Sequence, residues 1–265
     1  MKFQIDHDLH IHTFLSNCSS DPEQTPLRIL DYAEEYGLHT VAVADHFWDR
    51  DVKNGPPVWA PYDYELIRRN YPLPERAGIR FLFGGETDMS HENRIGVGSR
   101  AMEEMDFIVI PTTHMHFIGE TVTEEQVKTP AHRAETWMRR LEAVLSADLP
   151  FHKVGIAHLA CTLLASNPRD RETYLETLSL LPEDRMHAAF RRAAALGAGI
   201  ELNFDNFSDS EADLVLRPFR IAKEEGCKFY YGSDAHHPAR FPEGIKTCER
   251  VVELLALTED DKFRI

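Results

Sequence analysis

The sequence predicts an α/β fold, a distorted (β/α)7 TIM-like barrel with parallel strands inside and helices outside. Three observations carry this reading. Short β-type runs alternate seven times with longer amphipathic runs, the pattern of a parallel sheet covered by helices. The strand runs are apolar with little alternation, as burial on both faces requires. Finally, His, Glu or Asp stands at or just past the end of each strand run. In a parallel barrel the C-terminal strand ends meet on one face, where active sites lie.

Residues 6–12 form the first strand. A helix follows over 25–36, with Thr25 capping, Pro26 at the first helical position and Gly37 stopping it. Residues 41–44 (VAVA) are the second strand. A loop rich in Pro, Trp and Tyr covers 47–62 and leads into a helix over about 62–70. Residues 79–83 (IRFLF) are the third strand, followed by a short helical piece at 99–104. The fourth strand is 107–110 (FIVI), followed by a long helix at 130–147. The fifth is 154–157 (VGIA), followed by helical segments at 171–180 and 183–196, the latter ending near Gly197. The sixth is 199–202 (GIEL), followed by a helix at 209–225 that Gly226 stops. The seventh is 228–231 (KFYY), and a last helix covers 245–256. No linker, low-complexity segment or further repeat interrupts this order, so residues 1–265 read as one domain, a length usual for a single barrel.

Composition narrows the function. A hydrophobic fraction of 43% supports a sizeable core, and the formal net charge is −15. Such a surface repels a phosphate backbone, which argues against long nucleic acid as a partner. Two or three divalent ions would add about four to six positive charges at one spot, so a small phosphorylated ligand can still be drawn there. The four cysteines, Cys18, Cys161, Cys227 and Cys248, are widely spaced without a CxxC pair, which fits a reducing compartment rather than a disulfide framework. The N-terminal residues lack an apolar signal core, and no apolar run is long enough to span a bilayer. The expected location is cytoplasmic, with no membrane partner. No feature specifies an oligomeric state.

The chemistry lies at the strand ends. His10 and His12 are two residues apart on the first strand and so share a face. The second strand runs into Asp45 and His46, the third into Glu86 and Asp88, the fourth into His114 and His116, and the fifth into His158. Asn203 and Asp205 follow the sixth, and Asp234, His236 and His237 follow the seventh. Eight of these are candidate metal ligands: His10, His12, His46, Glu86, His114, His158, Asp234 and His236. One zinc ion needs about four ligands, so eight suffice for two or three ions. Their histidine content favours Zn, Mn or Fe over Mg or Ca.

The remaining histidines have plainer readings. His7 precedes the strand as a solvated or packing residue. His116 reads as a neighbour of the ligands or a substrate-facing group. His91 and His237 lie on loops within reach of a substrate, although loop histidines usually have no such role. His39, His132, His152 and His187 read as structural. Asp45 either orients the His46 ring or accepts hydrogen bonds from nearby backbone.

The segments DLHIHT, VADH, GGETD, TTHMH, IAHLA and GSDAHHP, in this order and spacing from residue 6 to about 240, resemble those of the PHP family, the polymerase and histidinol phosphatase domain. The resemblance implies a distorted (β/α)7 barrel with a trinuclear metal site, in a family many of whose members hydrolyse phosphoesters. It places His10, His12, Glu86 and Asp234 on a first ion. Glu86 bridges to a second ion completed by His114 and His158, and His46 and His236 hold a third. Relatives usually carry another ligand for that third ion shortly after the HxH pair. Here the stretch 16–21 has Asn17 and Cys18 in its place, with Cys18, Asn17 or Asp21 as substitutes.

The function implied is a metal-dependent phosphoester hydrolase in which a metal-activated hydroxide attacks the phosphorus of a small phosphorylated substrate, such as histidinol phosphate or a nucleotide. The chain, without a polymerase domain, is similar to the stand-alone phosphatase branch. Asp234 and His236 are expected to handle protons, His116 to act as general acid for the leaving alkoxide, and Arg94 or Arg240 to clamp the phosphate, with Arg169 a third option. Phe47, Trp48, Trp59, Tyr62 and Tyr64 either cover a leaving group or pack the loop. The alternative is an amidohydrolase-like metal hydrolase acting on C–N or C–O bonds. A catalytically silent scaffold fits the near-complete ligand set poorly.

Overall fold

Parallel pairing organises the whole chain. The computed structural model describes residues 1–19 and 21–265, so Ser20, in the stretch that follows the HxH pair, lies outside the described residues. The strands are β1 (His7–Ile11), β2 (Thr40–Val43), β3 (His46–Phe47), β4 (Arg80–Thr87), β5 (Phe107–Pro111), β6 (Val154–Ala157), β7 (Gly199–Leu202) and β8 (Lys228–Tyr231). Seven run side by side in the order β1-β2-β4-β5-β6-β7-β8, and β3 pairs with the end of β4. The sheet nearly closes on itself. His12 N donates to Ala235 O at 3.1 Å and Asp234 N donates to His10 O at 2.8 Å, joining the end of β1 to the segment after β8.

The helices are α1 (Pro26–Tyr36), α2 (Tyr64–Ile67), α3 (Ser99–Glu104), α4 (Pro130–Ser146), α5 (Arg171–Ser179), α6 (Glu183–Leu196), α7 (Ala212–Val215), α8 (Arg217–Glu224) and α9 (Phe241–Leu254). Local chemistry sets their limits. Thr25 and Thr129 cap α1 and α4 by accepting from Arg28 N and His132 N. Gly37 and Gly197 end α1 and α6 in the left-handed conformation, which glycine adopts without a Cβ clash. No described helix is long and apolar enough to cross a membrane.

Two apolar layers result. Leu9, Ala42, Leu82, Phe107, Ala157 and Tyr230 fill the barrel interior with Phe263 from the C-terminus, while Ile11, Val43, Phe83, Ile108 and Phe229 face the helices. The inward row of β4 reads Leu82, Gly84, Glu86, so the same period that packs the floor of the barrel delivers a carboxylate to its mouth. On β1 the register shifts between Asp8 and Ile11. Leu9 therefore joins the inner apolar layer and His10 and His12 still turn into the mouth, as a β-bulge permits.

His7 lies inside β1 as a buried packing residue: its Nδ1 pairs with Asp6 at 2.8 Å and its Nε2 accepts from Tyr231 N at 2.9 Å. The third strand does not stop at 83 but runs to Thr87, because Gly84 and Gly85 let it pass close to its neighbours. A Cβ on Gly84 would stand 2.6 Å from Phe107 O and 2.9 Å from Val43 O. The short strand β3 was not anticipated. The helix expected at 62–70 is the single turn of α2 followed by a 3-10 turn at Arg68–Asn70. The helix expected at 209–225 is split into α7 and α8, with Pro218, which lacks an N–H, in the first turn of α8. The last helix begins four residues earlier than expected, at Phe241, with Pro242 in its first turn.

Candidate metal centre

All eight expected ligand residues converge at the C-terminal mouth of the barrel, around Glu86 on β4. Its two carboxylate oxygens face two different groups. Oε2 lies 2.9 Å from His46 Nδ1 and 3.4 Å from both His10 Nε2 and His12 Nε2. Oε1 lies 3.0 Å from His158 Nε2 and 3.7 Å from His114 Nε2. Asp234 completes the first group, with Oδ1 3.0 Å from His12 Nε2 and 3.5 Å from His10 Nε2. His236 stacks on His12 with ring centroids 4.0 Å apart. The donor atoms of His10, His12, Glu86 and Asp234 lie within 4.8 Å of one another. The same holds for Glu86, His114 and His158, and for His12, Cys18, His46 and His236.

Four rings are oriented from behind, each through Nδ1. His10 donates to Glu201 Oε1 at 2.6 Å, His12 to Ser16 Oγ at 2.8 Å and His114 to Asp88 Oδ2 at 2.8 Å, while His158 Nδ1 sits 2.8 Å from Thr113 Oγ1. Each partner fixes a tautomer and leaves Nε2 pointing inward, the usual arrangement behind metal-ligating histidines. The supports are themselves held. Glu201 Oε2 accepts from His158 N at 2.8 Å, and a Cβ on Gly232 would collide with the Glu201 carboxylate and His10 Cβ. Asp88 accepts from Arg140 Nη2 at 3.0 Å, both side chains being 1% exposed. His158 and Asp234 adopt positive φ, at 32° and 52°, strain of the kind that collects at functional sites.

The electrostatics fit a cation. Burial opposes the charged form of His10, but Glu201, Glu86 and Asp234 outweigh it and hold the ring well above the usual histidine range. Likewise, burial opposes ionisation of Glu86 and Asp234, and the surrounding histidines still hold both carboxyls well below theirs. His12, buried beside His236 and His46, is pushed down to about 4. Glu86 Oε2, Asp234 Oδ1, His46 Nδ1 and His236 Nε2 are buried atoms without a hydrogen-bond partner among the described residues. Each such atom costs about 1–3 kcal/mol unless something binds it. Divalent ions satisfy this donor set of imidazole and carboxylate.

The His116 ring lies 5.4 Å from that of His114, against Phe117, and burial together with His114 lowers it to about 3. Arg240 lines a cavity of about 350 Å³ beside Asp234, with Asn203, Asp205, Thr162 and Glu243. Arg94 and Arg169 lie on exposed loop positions. His237 pairs with Asp21 at 2.9 Å. Asp45 does not touch the His46 ring. It accepts from Thr13 N, Thr13 Oγ1, Ser16 Oγ and Asn70 Nδ2 at 2.6–2.7 Å, and so secures the loop after β1. Of the aromatics, Phe47 and Tyr64 pack the core, while Trp59 sits 4.9 Å from the His46 ring. The sequence reading gave no role to Glu201, Asp88, Ser16 or Arg140. Only Glu201 carried a clear signal, being a lone carboxylate inside an apolar strand, where a buried charge needs a partner.

No family model matches the chain, and no curated protein does. Among solved structures, the chain is similar to a histidinol phosphate phosphatase from Lactococcus lactis subsp. lactis Il1403, solved with zinc, L-histidinol and phosphate. The TM-score is 0.60 at 15% identity, covering 98% of this chain and 99% of that one. The likeness thus runs through nearly the whole of both chains and shows that they share a fold.

Proposed function

We propose that the chain is a metal-dependent phosphatase that releases inorganic phosphate from a small phosphomonoester, with histidinol phosphate the first substrate to test. The observation that carries this reading is the bridging position of Glu86, one oxygen toward each of two histidine groups. His10, His12, Glu86 and Asp234 would hold one ion, and Glu86, His114 and His158 a second. When bound, such ions lower the pKa of water, neutralise phosphate oxygens and orient the ester. The protein's own residues supply the rest. Glu201 and Asp88 fix the ring orientations. Asp234, which lines the cavity, and His236 beside it would handle protons there. Arg240, on the rim of that cavity, would clamp the phosphate. His116, its ring 5.4 Å from that of His114, would act as general acid for the leaving oxygen. The solved neighbour, a phosphatase complexed with zinc, L-histidinol and phosphate, supports the choice of substrate.

The test is a phosphate-release screen over histidinol phosphate, sugar phosphates and nucleotides, with zinc or manganese supplied. The expected result is turnover that chelation removes and that falls at least about 10³-fold in Glu86→Ala, a loss of the size seen when a unit of the catalytic apparatus is removed. Turnover of lactones or amides without phosphate release would overturn the reading in favour of C–N or C–O hydrolysis.

A further inference from the structure

The loop after β1 brings a cysteine to the metal centre. The Sγ of Cys18 and ring nitrogens of His12, His46 and His236 lie within 4.8 Å of one another. His12 is committed elsewhere, through Nδ1 to Ser16 and through Nε2 to Asp234 and Glu86. Among the described residues His236 Nε2 has no hydrogen-bond partner, and His46 Nδ1, 2.9 Å from Glu86 Oε2, makes no hydrogen bond of good geometry to it; the His46 side chain is only 7% exposed. The loop is clamped on both sides of Cys18. Thr13 and Ser16 hang on Asp45, and Ser19 Oγ donates to the carbonyl of His236 itself at 2.9 Å. The other two substitutes suggested by sequence fit less well. Asn17 is exposed and offers only a neutral amide oxygen beside the imidazoles. Asp21 is tied to His237 at 2.9 Å and to Glu23 N at 2.9 Å.

We infer that Cys18 is a metal ligand, and that its thiolate, with His46 and His236, forms a third ion site of mixed sulfur and nitrogen donors. Three protein ligands leave a zinc-type site one open position. A thiolate selects thiophilic ions such as zinc, cobalt or cadmium over manganese or magnesium. Cys18 is also the exposed one of the four free cysteines, so this site faces solvent and exchanges its ion more readily than the enclosed pair around Glu86.

Cobalt(II) tests this without reference to turnover. The cobalt-loaded protein should show a near-ultraviolet sulfur-to-cobalt charge-transfer band. Cys18→Ser should lose the band and one equivalent of bound cobalt. Cys18→His should lose the band and keep the equivalent, which separates loss of a ligand from damage to the fold. In the metal-free native protein one thiol should react with a disulfide reagent, and zinc should shield it. The inference is overturned if the loaded protein shows no band, if Cys18→Ser holds as many ions as the parent, or if zinc leaves the thiol equally reactive. It rests on the metal centre proposed above and not on the reaction. An active phosphatase without the band overturns the thiolate site alone, and a loaded protein with the band but no phosphatase activity overturns the reaction alone. A protein that binds no cobalt overturns both.

Discussion

Glu86 and the carboxylates behind the rings hold the centre in place residue by residue. Removing the group that orients a metal-binding histidine typically costs 10–100-fold in metal affinity or activity. Glu201→Gln and Asp88→Asn should therefore each weaken zinc binding by about that factor, read by competition with a chromophoric chelator, while the far-ultraviolet circular dichroism stays unchanged. Arg140→Met leaves Asp88 buried without its cation, a defect worth about 3 kcal/mol or more. It should appear as a lower urea midpoint with an unchanged m-value. The histidines were legible in sequence because imidazoles at strand ends interrupt an otherwise apolar pattern. Glu201 stood out as a carboxylate in an apolar strand, but the pairings of the supports did not, because Glu201 meets His10 across 191 residues and Arg140 meets Asp88 across 52. No local period encodes either meeting.

At the scale of elements, close packing between strands does as much as the ligands to shape the mouth. Gly84 lies where β4 changes neighbours from β2 to β5. A methyl group there would press on two backbone carbonyls, which cannot rotate away as side chains do. Gly84→Ala should cost roughly 2 kcal/mol, as overpacking usually does, or about 4–8 °C in melting temperature for a chain of this size, measured by calorimetry. The seven main strands and the longer helices were readable from period, caps and glycine stops. What escaped was set by tertiary contact. β3 is two residues long and exists because His46 pairs with Glu86, and the expected 209–225 helix breaks near Pro218, a residue the pattern alone passes over.

For the whole molecule, the charge arrangement predicts how metal and pH act together. Against burial, His10 and His46 are raised well above normal by neighbouring carboxylates, His46 by Cys18 as well, and His158 is raised by Cys161 and Glu86, while Glu86 and Asp234 are lowered. The lowered carboxyls stabilise the metal-free fold above the unfolded carboxyl pKa of about 4, and the raised rings stabilise it below the unfolded histidine pKa of about 6.5. The contribution of the rings is lost as pH rises through their folded values. Bound ions take the place of those protons, and ligand histidines must be deprotonated to bind. The gain in melting temperature on adding zinc should thus grow from pH 6 to pH 8. Zinc binding should also release protons, seen calorimetrically as a dependence of the heat on the ionisation enthalpy of the buffer. A gain that shrinks over that range would contradict this charge balance.

The most direct test of the centre itself is a crystal of the zinc-loaded protein grown with inorganic phosphate, with an anomalous difference map recorded at the zinc edge. The expected map has one peak among His10, His12, Glu86 and Asp234, a second among Glu86, His114 and His158, and phosphate density touching both. A map with no peak inside this ring of side chains would contradict the proposed centre.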